Sequence, residues 1–379
     1  MGKIWGNPQL SFRSEMLGTM NRRDLVFSVL PLGWPAWADA KNSLPGDGRA
    51  IRLPSDFGAH PNQRIEWWYL TGSIEAEGKI FGFQVTFFRC RTPVADTHPS
   101  RFAARQLVFA HAALSDVSAG RQRHDQRVAR AGFGVATTAE GETGVHLRDW
   151  RLRRSGPVQA SQYTAKVLSP NAGFNLDLAL TATQPPLLQG VNGLSLKAPQ
   201  GAASSLYYSE PQMEVRGTLT LDGRPLTVTG RAWLDHEWAD SLLAPGVVGW
   251  DWIGMNLADG SALTAFQVRR ADGSALYAGG SFRHARSSVR SFAPSEVQFI
   301  PGRRWTSPAS GAHYPVAWQV ITPAGRFTVR PLMDAQELDS RQSTGAFYWE
   351  GLSDLLDAEG RAVGRGYLEM TGYAAALIL

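Results

Sequence analysis

The stretch GRAWLDHEWAD, residues 230–240, sets three ionisable residues, Asp235, His236 and Glu237, between Trp233 and Trp238. Carboxyl and imidazole groups side by side are the groups of proton transfer, and indole faces beside them are suited to a developing cation. Read as a strand, the segment points Trp233, Asp235 and Glu237 to one side and Leu234, His236 and Trp238 to the other. Neither side is wholly apolar or wholly wet. A surface strand would not carry two tryptophans, and a plain core strand would not carry two carboxylates. The segment is therefore expected to wall a pocket or to form a buried polar cluster neutralised by arginines such as Arg231. A structural network, a ligand pocket and direct catalysis all stay open on the residues alone.

Asp251 stands in the same kind of setting, between Trp250 and Trp252, and Glu66 precedes Trp67 and Trp68. Glu66 is expected to be structural. The eight histidines show no H-E-x-x-H spacing. His60, His111 and His236 could meet in space, but no metal site and no cofactor are expected. Ser195 and Ser209 lie in no nucleophile-elbow pattern, and GRGYLEMTG, residues 364–372, lacks the strand-to-helix context of a phosphate loop. Tyr207 and Tyr208 alternate, so one packs in a core and the other lines a groove. Cys90 is the single cysteine, which excludes an intrachain disulfide and cysteine-based metal sites.

These groups need elements to hold them, and the elements read as strands. Runs such as KIFGFQVTFF (residues 79–88) and TLTLDGRPLTVTG (residues 218–230) are rich in β-branched and aromatic residues, and turns such as LADG and DAEG separate them. Residues 101–116 fit either helix or strand. The chain also echoes itself. EWWYLTGSIEAEGKIFGFQVTFFR (66–89) resembles GWDWIGMNLADGSALTAFQVRR (249–270), and GRAWLDHEW (230–238) resembles GRGYLEMTGY (364–373). Two matches in the same order predict two β domains of one design, 41–238 and 239–379. A chain of 379 residues with 43% hydrophobic content can bury cores of that size.

The basic residues are scattered and the net charge of +5 is mild, so a nucleic-acid face is not expected. Met20–Ala40 combines Arg22 and Arg23, a weak apolar run from Leu25 to Trp37, and small residues at Ala38 and Ala40. That is the pattern of an export signal of twin-arginine type. The expected start is Met20, with residues 1–19 a mis-called start. A mature chain beginning near Lys41 would be periplasmic or secreted. No later apolar run is long enough for a transmembrane helix.

Several segments, taken in order, resemble the family of carotenoid 1,2-hydratases (hydroxyneurosporene synthases) and AttH-type lipocalin-like proteins. They are HPNQRIEWWYLTG (60–72), FAHAALSD (109–116), LLQGVNGLSLKAP (187–199), YYSEPQMEVRGTL (207–219), GRAWLDHEW, GWDWIGMNLADGSALTAFQVR and the closing YWEGL and GRGYLEMTGY. The resemblance implies an all-β chain of two consecutive lipocalin-like antiparallel β-barrel or sandwich domains. It also implies cofactor-free hydration of an isolated carbon–carbon double bond at the end of a polyene. His236 and Trp238 match the histidine and tryptophan of the hydratase site, and Asp251 is the candidate acid. Trp67, Trp68, Trp233, Asp235, Glu237, Trp250, Trp252 and Tyr208 are the candidate pocket residues.

Three readings follow. An exported protein binding a hydrophobic isoprenoid- or lipid-like ligand, working alongside a transport system, comes first. A cofactor-independent hydratase is second. An envelope protein that docks to a transporter or another partner and takes no small ligand is third.

Overall fold

The alternation of apolar and polar residues past position 50 becomes strand after strand in the computed structural model, which describes residues 50–285 and 288–377. The expected start at Met20 and the export signal at 20–40 lie outside the described residues. Single 3-10 turns are the only helical elements among the described residues. The stretch that fitted helix or strand is a strand, Gln106–Asp116. Its inward residues Val108, Ala110, Ala112 and Leu114 recur with period 2, which a helix cannot present to one core.

The strands form two large antiparallel sheets. The first runs, in spatial order, through Arg121–Arg130, Gln106–Asp116, Lys79–Arg91, Ile65–Ala76, Arg224–Ala239, Ser204–Leu221, Phe174–Thr181 and Gln162–Ser169, and ends in three short strands. It curls until its two ends touch, a nearly closed barrel. The second runs through Val289–Phe292, Ala275–Arg283, Ala262–Arg270, Val247–Leu257, Ala362–Met370, Phe347–Leu356, Gly325–Pro331 and Trp318–Thr322, and ends at Gln298–Pro301. In each sheet the first strand pairs with the last: Trp67 lies opposite Glu237, and Trp252 opposite Glu369. The two echoed segments of the sequence are therefore neighbours in each sheet.

Each sheet folds around its own apolar core. Trp68, Leu70, Phe83, Val85, Leu234 and Trp238 belong to the first. Ile253, Met255, Leu263, Trp318, Trp349 and Leu368 belong to the second. A third cluster, with Tyr69, Trp233, Trp252, Phe266, Leu352 and Tyr367, lies between the two sheets. The echo holds in strand order but not in orientation. Phe83 and Val85 face the first core, whereas Phe266 and Val268 face the junction. Gln267 consequently turns into the second core, where Gln84 of the matching triplet turns out of the first.

Close approach of neighbouring strands accounts for Gly230, which opens the first Gly-Arg pair, and for Gly366, two residues past the Gly364 that opens the second. A Cβ on Gly366 would fall on the backbone oxygen of Gly254, and one on Gly230 on the backbone oxygen of Ser73. Backbone cannot move aside as a side chain can. Gly366→Ala is expected to cost about 3 kcal/mol or more in urea unfolding, because overpacking against a neighbouring strand displaces the sheet. Gly360→Ala, at an open turn with φ +80°, should cost only about 1 kcal/mol. Equal losses would show that the close approach is not what Gly366 serves.

Candidate functional site at the junction of the sheets

The strand Arg224–Ala239 divides its residues as a strand must. Leu234, His236 and Trp238 enter the first core, and Trp233, Asp235 and Glu237 face the second sheet. On the facing strand Val247–Leu257, Trp250 and Trp252 belong to the junction layer. Trp252 makes edge contacts with Tyr69, at 5.4 Å between ring centroids, and with Trp233, at 6.2 Å. Its Nε1 donates to the Tyr207 hydroxyl at 3.2 Å. It is the second sheet's main anchor in the first sheet's aromatic wall.

Carboxyl groups are set into this layer. Asp235 Oδ1 accepts from Ser209 Oγ at 2.5 Å and from Trp233 Nε1 at 2.7 Å. Burial pushes the Asp235 pKa up to about 8, against the pull of bonds from Ser209, Trp233 and Tyr207. At neutral pH it keeps its proton. Glu350 accepts from the Tyr69 hydroxyl at 2.6 Å and sits directly opposite Glu369 in register. Burial, reinforced by the facing Glu369, raises Glu350 far above the usual carboxylate range. Glu369 reaches about 7, again mainly by burial, with Glu237 and Asp251 adding repulsion and a bond from Trp250 opposing it. It is the one of the three that keeps some open surface. Glu237 differs, because Lys197 Nζ lies 2.9 Å away and Ser205 also donates to it. The same ammonium sits over the rings of Phe266, at 4.4 Å, and Tyr207, at 5.1 Å.

A cleft of about 770 Å³ opens beside this layer, with Trp233 and Tyr367 in its wall and Arg231, Asp354 and Arg365 among its polar lining. Arg231 was expected to neutralise the acids of its own strand. It is exposed along the cleft instead, and Lys197, from a loop, supplies the cation.

On the core side of the same strand lies a second cluster, centred on the Glu66 carboxylate. Glu66 accepts from His60 Nδ1 at 2.8 Å, His236 Nε2 at 2.9 Å and Arg89 Nε at 2.7 Å, and from the His60 backbone N–H. His60 stacks on Trp238 at 3.8 Å, and Trp68 stacks on His236 at 4.6 Å. Burial works against the Glu66 charge, but the bonds from both histidines outweigh it and hold the carboxylate below its ordinary range. Burial lowers His236 to about 4 despite Glu66, so it is neutral near pH 7. Donor atoms of His60, Glu66 and His236 lie within 4.8 Å of one another, near enough to hold a metal ion. The Arg89 guanidinium on the same carboxylate already supplies a positive charge there.

Asp251 points into the second core. Arg269 Nε lies 2.8 Å from it, Gln267 Nε2 donates at 2.7 Å and the Tyr373 hydroxyl at 2.9 Å. Burial raises its pKa while the Arg269 charge opposes the rise.

The structure thus sorts the candidate residues into three places. Trp67, Trp233, Asp235, Glu237, Trp250 and Trp252 share the junction. Trp68, Tyr208, His236 and Trp238 share the first core, and Asp251 sits in the second. His236 and Trp238 therefore do not meet Asp251. Of the two tyrosines it is Tyr207 that faces the junction, while Tyr208 bonds His236 at 3.2 Å. His60 and His236 do meet, but His111 lies elsewhere, bonded to Tyr348 at 2.6 Å and Ser343 at 2.7 Å. Sequence reasoning missed Glu350, Glu369, Lys197 and Tyr69, and left open which of Tyr207 and Tyr208 lines the junction. For Glu369 a signal existed, since it occupies the place of Asp235 in the Gly-Arg echo.

The His236 shift gives a signed prediction. A histidine kept neutral by the fold contributes stability that is lost as pH falls from 6.5, its ordinary value, toward about 4. The stability advantage of the natural chain over His236→Gln, from urea midpoints, should shrink across that window. An advantage unchanged with pH would mean that His236 is not held neutral.

Residues 45–373 match the AttH-like family. No curated protein matches the sequence. The crystal structure of an AttH-type protein from Nitrosomonas europaea is similar over 87% of this chain and 99% of its own, with 46% identity and a TM-score of 0.80. Kievitone hydratase from Nectria haematococca shares the fold over 88% of this chain and 95% of its own, with 14% identity and a TM-score of 0.66. The chain belongs to the AttH-like family, with the lipocalin-like all-β fold expected for it.

Proposed function

We propose that this protein binds an apolar, isoprenoid- or lipid-like molecule against the aromatic layer between its two sheets. The observation behind this reading is the make-up of that layer. Indoles and phenols surround Asp235 and Glu350, whose carboxyl groups burial makes hold their protons well above the ordinary range, beside a cleft of about 770 Å³. Hydrocarbon can lie against the Trp233 and Tyr367 rings of the cleft wall, and polar groups along the cleft such as Arg231 and Asp354 supply the contacts that orient it. Export through the 20–40 signal, a periplasmic or secreted location, the 41–238 and 239–379 domain division, and work beside a transport system belong to the same proposal.

Asp235 favours a second reading, the addition of water to an isolated carbon–carbon double bond. The reaction needs an acid that still holds its proton and faces that tolerate a carbocation. Asp235 would give its proton to the less substituted carbon of the terminal double bond, the π pair forming the new C–H bond and leaving a tertiary cation beside Trp233 and Trp252. Water then forms the C–O bond and returns a proton to the Asp235 carboxylate. No cofactor is consumed. The acid in this scheme is Asp235 rather than Asp251, because the Arg269 guanidinium against Asp251 favours its ionised form. The fold shared with kievitone hydratase supports the same direction.

Two measurements test these readings. Mass spectrometry of organic extracts from gently purified protein should find a stoichiometric apolar molecule, lost in Trp252→Ala. Protein that is empty in every preparation and binds no isoprenoid by tryptophan quenching would contradict binding. With a polyene carrying an isolated terminal double bond, Asp235→Asn should lose at least about 100-fold in hydration rate while keeping its fold. An Asp with a raised pKa contributes stability that is full below its ordinary range and is lost as pH rises to about 8. The variant should therefore gain on the natural chain across that interval by a few kcal/mol. Full activity in Asp235→Asn would remove Asp235 from the chemistry.

A further inference from the structure

On the outer wall of the first sheet two large rings stand in solvent. Phe102 is 66% exposed and Phe133 is 50% exposed, yet their rings, from separate loops, stack at 5.3 Å with only 5° between planes. Arg130 lies over both, 4.3 Å from the Phe133 centroid and 5.7 Å from that of Phe102, and Arg101 lies 5.7 Å from Phe133. Neither arginine forms an ion pair among the described residues, where Asp96 pairs with Arg91 and Asp125 with Arg127.

The strand that carries Arg130 also bears an outward apolar row. Val128, 43% exposed, is two residues before Arg130 and so on the same face of the edge strand. It lies opposite Phe109, which packs on Phe88 at 5.5 Å. The neighbouring Val108 turns into the core, so this row faces outward. Single exposed apolar residues need no explanation, but a contiguous patch of them marks an interaction surface.

We propose that this wall docks on a membrane leaflet containing anionic lipid. Phe102 and Phe133 enter the headgroup region, Val128 and Phe109 lie against it, and Arg101 and Arg130 meet lipid phosphates. The charge arrangement selects this occupant. Two guanidiniums without carboxylate partners flank the rings, which matches an apolar interior lying beneath a negatively charged surface. The proposal does not depend on the junction binding a ligand.

Co-sedimentation of the full chain with vesicles of phosphatidylcholine containing about one-third phosphatidylglycerol, against pure phosphatidylcholine, provides the test. The natural chain should prefer the anionic vesicles, and added salt should weaken that preference. Phe102→Ser with Phe133→Ser should bind at least about tenfold more weakly, and Arg101→Gln with Arg130→Gln should lose the preference for charge. All four positions have exposed or rim side chains, and circular dichroism will verify that the variants fold. Binding to anionic vesicles that is absent, or that neither pair of changes affects, would overturn the proposal. So would reversible self-association through the patch with no vesicle binding.

Discussion

Trp252 reaches the first sheet through a layer where burial penalises an unpaired carboxylate. Between the sheets lie Asp235, Glu350 and Glu369, and the nearest ammonium, Lys197, is taken by Glu237. An isolated ionised carboxyl in such surroundings costs several kcal/mol even after relaxation. Each of the three acids holds its proton more tightly than an ordinary carboxyl does, and their neighbours fix where they point. Ser209 and Trp233 fix Asp235, and Tyr69 ties Glu350 across the interface. The packing of the two sheets and the chemistry of the site rest on this one condition.

The strand Arg224–Ala239 gives each side a different character because its side chains alternate. Its core side ends in the Glu66 network, where a carboxylate is fully ionised by three surrounding donor side chains. Its junction side presents an acid that keeps its proton. Asp235 and His236 are adjacent in the chain, yet they work in separate environments with opposite protonation preferences. Proximity in sequence is therefore a poor guide to which groups act together here.

Much of this was readable from the residues. The alternation in GRAWLDHEWAD correctly separated Trp233, Asp235 and Glu237 from Leu234, His236 and Trp238, because period 2 is a property of any strand. The repeated segments foretold two sheets with matching strand order. The site was only half legible. Asp251 drew attention because tryptophans flank it, but those tryptophans face the junction while Asp251, one residue out of phase, faces the second core. Glu350 and Glu369 become a facing pair only through strand registration, and Lys197 arrives from a loop whose path no periodicity encodes. The Phe-Gln-Val echo shows the same limit, since a shift of one residue reverses which face a matched residue occupies.

The central claim is that Asp235 is a neutral carboxylic acid between the sheets at physiological pH. Infrared difference spectroscopy across a pH titration reads this directly through the carbonyl band of protonated carboxyl groups. The account predicts a band that persists at neutral pH, fades with a midpoint near 8, and is missing in Asp235→Asn. A natural chain whose protonated-carboxyl bands have all disappeared by the ordinary aspartate range, or a spectrum that Asp235→Asn leaves unchanged, would contradict it.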